Sequence, residues 1–153
     1  MIRKLKLIVY DFDGVLTDNK VIVDENGTES VIVNRADGLG VSEIKKLKIK
    51  QLIISTETNS VVNYRAKKLK IPCIQGVKNK KKTLLDYCEK NDVDLKTVAF
   101  VGNDINDKEV MEIVGLSICP KDSHKNILNF SNIVLNTGGG QGVVREIFDM
   151  IIK

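Results

Sequence analysis

Two aspartates, Asp11 and Asp13, stand two residues apart where an apolar run ends, and three further polar clusters follow. These are Ser55-Thr56-Glu57, Lys80, and Asn103-Asp104 with Asp107. One carboxylate of the pair can act as nucleophile while its neighbour handles the proton, because carboxylates form phosphoryl-aspartate intermediates. Two anions so close repel each other and repel a phosphate, so this chemistry needs a cation. Hard oxygen donors beside a phosphate favour Mg²⁺, which keeps several waters and uses few protein carboxylates. Asp104 is a third candidate donor, and Lys80 can neutralise a phosphate. Each residue also has an ordinary use. Asp11-x-Asp13 reads as an Asx-rich turn, Ser55 as a helix cap, and the lysine run at 78–82 as a solvated face. The single histidine, His124, lies on a helical surface pattern and takes no role.

What must position these residues is a series of short strands. Residues 5–10 (LKLIVY) end in a nearly continuous apolar run, as expected of a strand buried on both faces. Strands are also expected over 51–55, 71–74, 98–101, 116–119 and 133–135. Helices are expected from Asp37-Gly38 onward, with Leu39, Ile44, Leu47 and Ile49 in loose helical spacing, and over 60–69, 83–90, 107–114, 122–130 and 143–152. Alternating strands and helices imply right-handed crossovers and a parallel sheet with helices on both faces. The four polar clusters then fall at carboxyl ends of strands, where open α/β sheets bind ligands. That convergence outweighs any one cluster.

Two β-branched runs, 21–23 and 31–33, flank Asp24-Glu25-Asn26-Gly27. Asn-Gly predicts a hairpin with a type I′ turn. Two oily strands alone are marginally stable, so this hairpin covers a site or pairs with another subunit. The stretch at 136–142 (NTGGGQG) reads as a flexible lead into the last helix.

The 153 residues suit a single domain over 1–153. A composition 42% hydrophobic and 29% charged excludes wholesale disorder. No apolar run approaches the ~20 residues that span a bilayer. The start shows no leader pattern, so a cytoplasmic chain is expected. Cys73, Cys88 and Cys119 form no metal or disulfide pattern. The +4 charge permits anionic partners, but 5% aromatics argue against a nucleic-acid stacking platform. A small anionic substrate fits better.

The residues 11–18 (DFDGVLTD), with Ser55, Lys80 and Gly102-Asn103-Asp104-Ile105-Asn106-Asp107, resemble the four motifs of the haloacid dehalogenase superfamily of phosphatases. The resemblance covers essentially the whole chain. It implies a Rossmann-like, doubly wound parallel sheet with the hairpin as flap and no cap domain. Arg35-Ala36-Asp37-Gly38-Leu39-Gly40 and Gln141-Gly142-Val143-Val144-Arg145-Glu146 are similar to one capless subgroup. It contains the 3-deoxy-manno-octulosonate 8-phosphate phosphatases, their nonulosonate 9-phosphate relatives, and a domain attached to acylneuraminate cytidylyltransferases. Members are similar homotetramers in which neighbouring flaps pack together.

The resemblance implies that Asp11 attacks phosphorus and that Asp13 protonates the leaving alcohol, then deprotonates water. It implies Mg²⁺ held by Asp11, the Asp13 carbonyl and Asp104, with the phosphoryl group bound by Ser55 and Lys80. Arg145 would reach a neighbour's site. Two positions depart from the pattern. Asn103 stands where the family carries the first acid of Gly-Asp-Asp. Ser55-Thr56-Glu57 replaces the Thr-Gly-Arg of octulosonate phosphatases, so Glu57, with Lys68 on the next helix, looks like the nonulosonate branch. The expected function is therefore a Mg²⁺-dependent phosphatase of a sialic-acid-type sugar acid phosphate used for surface glycans. The alternatives are an octulosonate 8-phosphate phosphatase, and a catalytically silent oligomerisation or regulatory domain, which Asn103 motivates.

Overall fold

The computed structural model describes residues 2–153. The buried run near the start forms β1 (Leu7–Tyr10), with all four residues inside. The hairpin strands are β2 (Ile22–Val23) and β3 (Glu29–Ser30). Then come α1 (Arg35–Lys46), β4 (Lys50–Ile54), α2 (Val61–Leu69), β5 (Cys73–Ile74) and α3 (Lys80–Lys90). The chain finishes with β6 (Val98–Val101), α4 (Lys108–Met111), β7 (Leu116–Cys119), α5 (Lys125–Phe130), β8 (Ile133–Val134) and α6 (Val143–Ile152).

Six strands make one parallel sheet in the order β5-β4-β1-β6-β7-β8. The doubly wound reading therefore holds. The order reverses direction at β1, between β4 and β6, which is the switch point where such sheets leave a crevice. Alternation along the strands splits the core. Ile8, Tyr10, Ile53, Val101 and Ile118 pack against α1, α2 and α6, while Leu7, Val9, Leu52, Ile54 and Phe100 pack against α3, α4 and α5. A buried polar relay ties three elements together: Tyr10 Oη donates to Gln51 Oε1 at 2.9 Å, and Gln51 Nε2 donates to the Val41 carbonyl at 3.0 Å. Among the described residues no helix is long and apolar enough to cross a membrane.

Three local expectations are corrected. The second hairpin strand is Glu29–Ser30, not 31–33, and Val33 instead bridges Thr17. Only Gly27 in the turn has positive φ (79°), and Gly27 N–H donates to the Asp24 carbonyl at 3.0 Å. That is a three-residue loop closed by a left-handed glycine rather than type I′. In α1 the inward face is Asp37, Gly40, Val41 and Ile44, whereas Leu39 and Leu47 face outward. Gly40 is why: a Cβ there would lie 2.8 Å from the Arg145 nitrogen, so α1 and α6 approach too closely for a larger residue.

The glycine-rich segment at 136–142 is packed rather than a loose lead. Gly140 N–H donates to the Val15 carbonyl at 3.0 Å, and a Cβ on Gly139 would lie 2.2 Å from the Gly14 carbonyl oxygen. It wedges under the loop that follows β1. Gly142 offers no capping side chain to α6, and Asp37 supplies the cap, accepting from Val144 N–H at 2.8 Å. The second oxygen of Asp37 is buried without a partner. Burial pushes its carboxyl up to about 6, although Val144 and Arg65 pull it down.

Candidate active site

Strand register gathers the site. Tyr10 is opposite both Ile53 and Val101, so β1, β4 and β6 end together. The ladder runs one residue further, with Asp11 N–H donating to the Val101 carbonyl and Ser55 N–H to the Ile74 carbonyl. Asp11, Ser55 and Asn103 thus emerge along one edge. They line a small pocket of about 110 Å³ with Asp13, Asn19, Thr56, Asp104 and Asn106.

The loop after β1 is held from inside. The Phe12 carbonyl accepts from the N–H groups of Val15, Leu16 and Thr17, and Phe12 itself is buried. Thr17 Oγ1 accepts from Gly14 N–H at 3.2 Å and from Asn19 N–H at 3.1 Å. Gly14 has φ +83°, and a Cβ there would strike the Asn103 amide at 1.9 Å. The glycine lets two loops touch.

Asp11 is buried, and its Oδ1 accepts from Phe12 N–H at 2.7 Å and meets Lys80 Nζ at 2.8 Å. Lys80 is the first residue of α3, which starts three residues earlier than expected because Asn79 caps it by accepting from Lys82 N–H. This start turns Lys80 inward while Lys78 and Lys82 stay exposed. Asp107 fixes the other side of the ammonium at 2.6 Å. Its second oxygen accepts from the N–H groups of Asn103 at 2.9 Å and Asp104 at 3.3 Å. Asp107 belongs to the fourth polar cluster of the sequence, where its residue type alone assigns it no role. Its spacing from Asp104 is that of a capping box, and both halves of that box form.

Two buried carboxylates around one ammonium leave a negative charge uncompensated. Burial and Asp107 accordingly push the Asp11 carboxyl up to about 7, against the pull of Lys80. Burial also raises Asp13, reinforced by Glu57 and Glu29 and opposed by Lys80. Burial lowers Lys80, but Asp11 and Asp107 outweigh it and hold the ammonium charged.

The uncompensated charge fits a divalent cation. Among the described residues no three His, Cys, Asp or Glu side chains are grouped to hold one. The donor set is mixed instead. Asn103, buried, lies against Asp11 Oδ2 and the Asp13 carbonyl; with its nitrogen inward the amide donates to these at 3.1 and 3.0 Å. Asp104, the residue the motif pattern put forward, turns Oδ1 onto Ile105 N–H at 2.7 Å while still lining the pocket. Neighbours 103 and 104 share one strand end, and the bend of the loop buries Asn103 while Asp104 caps the turn that follows.

Of the other residues expected at the site, Ser55 is buried in the pocket wall, where its Oγ accepts from Glu57 N–H at 3.1 Å. Glu57 accepts from Thr58 and Asn59 N–H groups, each at 2.9 Å, and its charge reaches Asp13. Lys68 and Arg145 are not brought to this pocket. Lys68 is exposed in a groove between α1 and α2 beside Arg35 and Arg65, and Arg145 pairs with Asp149 at 3.4 Å on α6. 

The family model for haloacid dehalogenase-like hydrolases matches residues 40–147. The chain belongs to that family. As a haloacid dehalogenase-like enzyme of the capless kind it is a phosphatase, with the sheet described above as its catalytic scaffold. The 3-deoxy-D-manno-octulosonate 8-phosphate phosphatase of Salmonella typhi is 34% identical over 151 residues, covering 98% of this chain and 80% of that enzyme. A solved haloacid dehalogenase family hydrolase from Streptomyces avermitilis superposes with a TM-score of 0.96 at 38% identity, covering 99% of this chain and 87% of that one. The octulosonate 8-phosphate phosphatase of Moraxella catarrhalis, solved with magnesium, phosphate and the sugar acid, superposes at 0.94 with 30% identity and coverage of 99% and 87%.

Proposed function

We propose that this haloacid dehalogenase-like phosphatase hydrolyses a nonulosonate 9-phosphate, a nine-carbon 2-keto-3-deoxy sugar acid ester, with Mg²⁺. The observation that carries the chemistry is Asp11, pinned by Phe12 N–H and Lys80 at the mouth of the switch-point crevice. In the first step an Asp11 carboxylate oxygen attacks phosphorus in line, and the ester P–O bond breaks. Asp13, whose raised carboxyl keeps a proton available, delivers it to the leaving sugar oxygen. In the second step Asp13 takes a proton from water, the water oxygen attacks phosphorus, and inorganic phosphate leaves with Asp11 regenerated. Lys80 and Ser55 hold the non-bridging oxygens. Asp11, the Asp13 carbonyl and Asn103 would hold Mg²⁺, whose charge offsets the repulsion between carboxylate and phosphate.

Glu57 supports the nine-carbon substrate. Its charge reaches Asp13, the proposed donor to the leaving sugar oxygen, and a carboxylate there favours hydroxyl or amine groups over the acid's own carboxylate. Octulosonate 8-phosphate is the second reading, supported by the named activity of the Salmonella and Moraxella enzymes. A silent regulatory domain is the third. The buried Asp11–Lys80–Asp107 cluster argues against it, since a scaffold has no use for such costly burial of charge.

We further propose a homotetramer in the cytoplasm, with hairpins packed together and Lys68 and Arg145 serving a neighbour's pocket. The hairpin's Val21, Ile22 and Val23 are all exposed, which a second copy would cover.

The test is phosphate release, with Mg²⁺, from both esters side by side. Turnover should be faster on the nonulosonate ester and vanish in Asp11→Asn. Replacing Glu57→Arg should shift the kcat/KM ratio toward the octulosonate ester by about tenfold, or ~1.4 kcal/mol. A faster octulosonate reaction in the unaltered chain overturns the substrate assignment. Silence on both esters from folded protein overturns the phosphatase mechanism.

A further inference from the structure

We infer that Glu146 is a positioning residue for the proton transfer: its carboxylate anchors the segment at 136–140 against the loop that carries Asp13, and so fixes where the leaving oxygen meets its donor. This rests on the reading of Asp13 as that donor and deepens it, by naming what places the donor.

Glu146 lies in the first turn of α6, where an acid ordinarily serves its own helix. Here both carboxylate oxygens reach back across the chain. Oε1 accepts from Asn136 N–H at 2.9 Å and from its side-chain amide at 3.3 Å, and Oε2 accepts from Thr137 N–H at 2.8 Å. Burial raises the Glu146 carboxyl, but hydrogen bonds from Thr137 and Asn136 outweigh it and hold it below the ordinary value, so the anchor is charged. The start of α6 does not need this carboxylate as its cap, because Asp37 already supplies one. A second anchor lies further along the segment, where Asp122 Oδ1 accepts from Gly139 N–H at 2.9 Å and Lys121 N–H donates to the Thr137 carbonyl at 3.2 Å.

What the segment presses on is the backbone of the loop. Gly140 N–H donates to the Val15 carbonyl at 3.0 Å. A Cβ on Gly139 would lie 2.2 Å from the Gly14 carbonyl oxygen and 2.8 Å from that of Thr17, and one on Gly140 would lie 2.5 Å from the Asp18 nitrogen. Backbone meets backbone with no side chain between, so a shift of the segment passes undamped to Gly14, the residue after Asp13. Asp11 is held by other groups, Phe12 N–H and Lys80. Without Glu146 the loop therefore keeps its nucleophile and loses the fixed place of its acid. A misplacement of about 1 Å can cost about 10²-fold in rate.

The experiment measures kcat/KM, with Mg²⁺, on phenyl phosphate and on dinitrophenyl phosphate. Phenolate needs a proton as it leaves and dinitrophenolate does not. Neither ester carries a sugar, so the neighbouring Arg145 and its proposed part in sugar recognition do not enter. The ratio kcat/KM covers ester cleavage and leaves out the later hydrolysis of the aspartyl phosphate. As the reference, Asp13→Asn should lose about 10²-fold or more on phenyl phosphate and little on the dinitrophenyl ester. Glu146→Ala should show the same selectivity, falling about tenfold or more on phenyl phosphate while staying within about threefold on the other ester. Glu146→Gln keeps one acceptor oxygen and should fall between Glu146→Ala and wild type. Asp122→Ala should reproduce the selectivity from the second anchor, and it decides the question if Glu146→Ala does not fold. Equal loss on both esters, or no loss, in the Glu146 and Asp122 variants overturns the positioning role alone. An Asp13→Asn variant that loses equally on both esters overturns it together with the reading of Asp13 as the acid.

Discussion

The loop after β1 and the hairpin that follows it are consecutive in the chain and opposite in how they are held. The loop has its carbonyls and hydroxyl occupied from within, Lys80 and Asn103 against its carboxylate, and Gly139-Gly140 wedged beneath. The hairpin has a two-rung ladder, a turn tied by Asp24, and oily side chains facing outward. One region is determined many times over by a single chain and the other hardly at all. The contrast separates two tasks. Phosphoryl chemistry needs fixed charges in a dry place, and the groups proposed for it, Asp11, Ser55 and Lys80, are all buried within one chain. The residues proposed to recognise the leaving sugar, Glu57, Lys68 and Arg145, lie on separate surfaces, and one chain does not bring them together.

The sharpest way to break the first half is Asp107→Ala. It leaves Lys80 on one partner and frees two loop N–H groups, so turnover should fall by about 10²–10³-fold. Breaking a buried pair should also cost about 3–5 kcal/mol on denaturant unfolding. Near-normal turnover would show that the loop does not depend on its inner contacts.

A smaller effect tests the second half. Ile22→Asp with Val23→Asp should reduce the mass seen by sedimentation equilibrium and lower kcat/KM for the sugar-acid ester by about tenfold. Turnover of a simple aryl phosphate should stay within about twofold, because catalytic groups are untouched. An unchanged mass would place the oligomer contact elsewhere.

The smallest concerns the brace behind the loop. The Asp37 carboxyl is raised from 3.8 to about 6 in the folded chain. The folded state therefore binds this proton more tightly than the unfolded one, and this group's contribution to stability declines as pH rises from about 4 to 6. Above that window the ionised group costs up to about 3 kcal/mol. Asp37→Asn should accordingly melt higher than wild type at pH 8, with the gap closing by pH 4–5. A gap that stays constant with pH would show that Asp37 does not titrate in that range.

Much of this architecture was legible because its signals are local. Apolar runs such as LIVY ending in Asp-x-Asp locate a strand and its polar edge without any tertiary knowledge, and the alternation of strands and helices implies the parallel sheet. Periodicity alone misjudged α1, since Leu39 has the right spacing and faces outward; the inward face was decided by Gly40 and Asp37 against α6, a partner about a hundred residues away. The hairpin erred for a related reason. Its β-branched run at 31–33 has strand propensity, but the left-handed glycine sets a register that pairs Glu29–Ser30 instead.

By itself the sequence determined which chemical groups stand at which strand ends, and therefore the kind of reaction. Only the tertiary structure decided which neighbour of a pair turns inward: Asn103 over Asp104, Lys80 over its flanking lysines, and Asp107 as the partner that holds it. Adjacent residues share every sequence signal, while the direction of a side chain depends on a loop bend and a helix start. Those in turn depend on hydrogen bonds and close approaches between segments far apart in the chain.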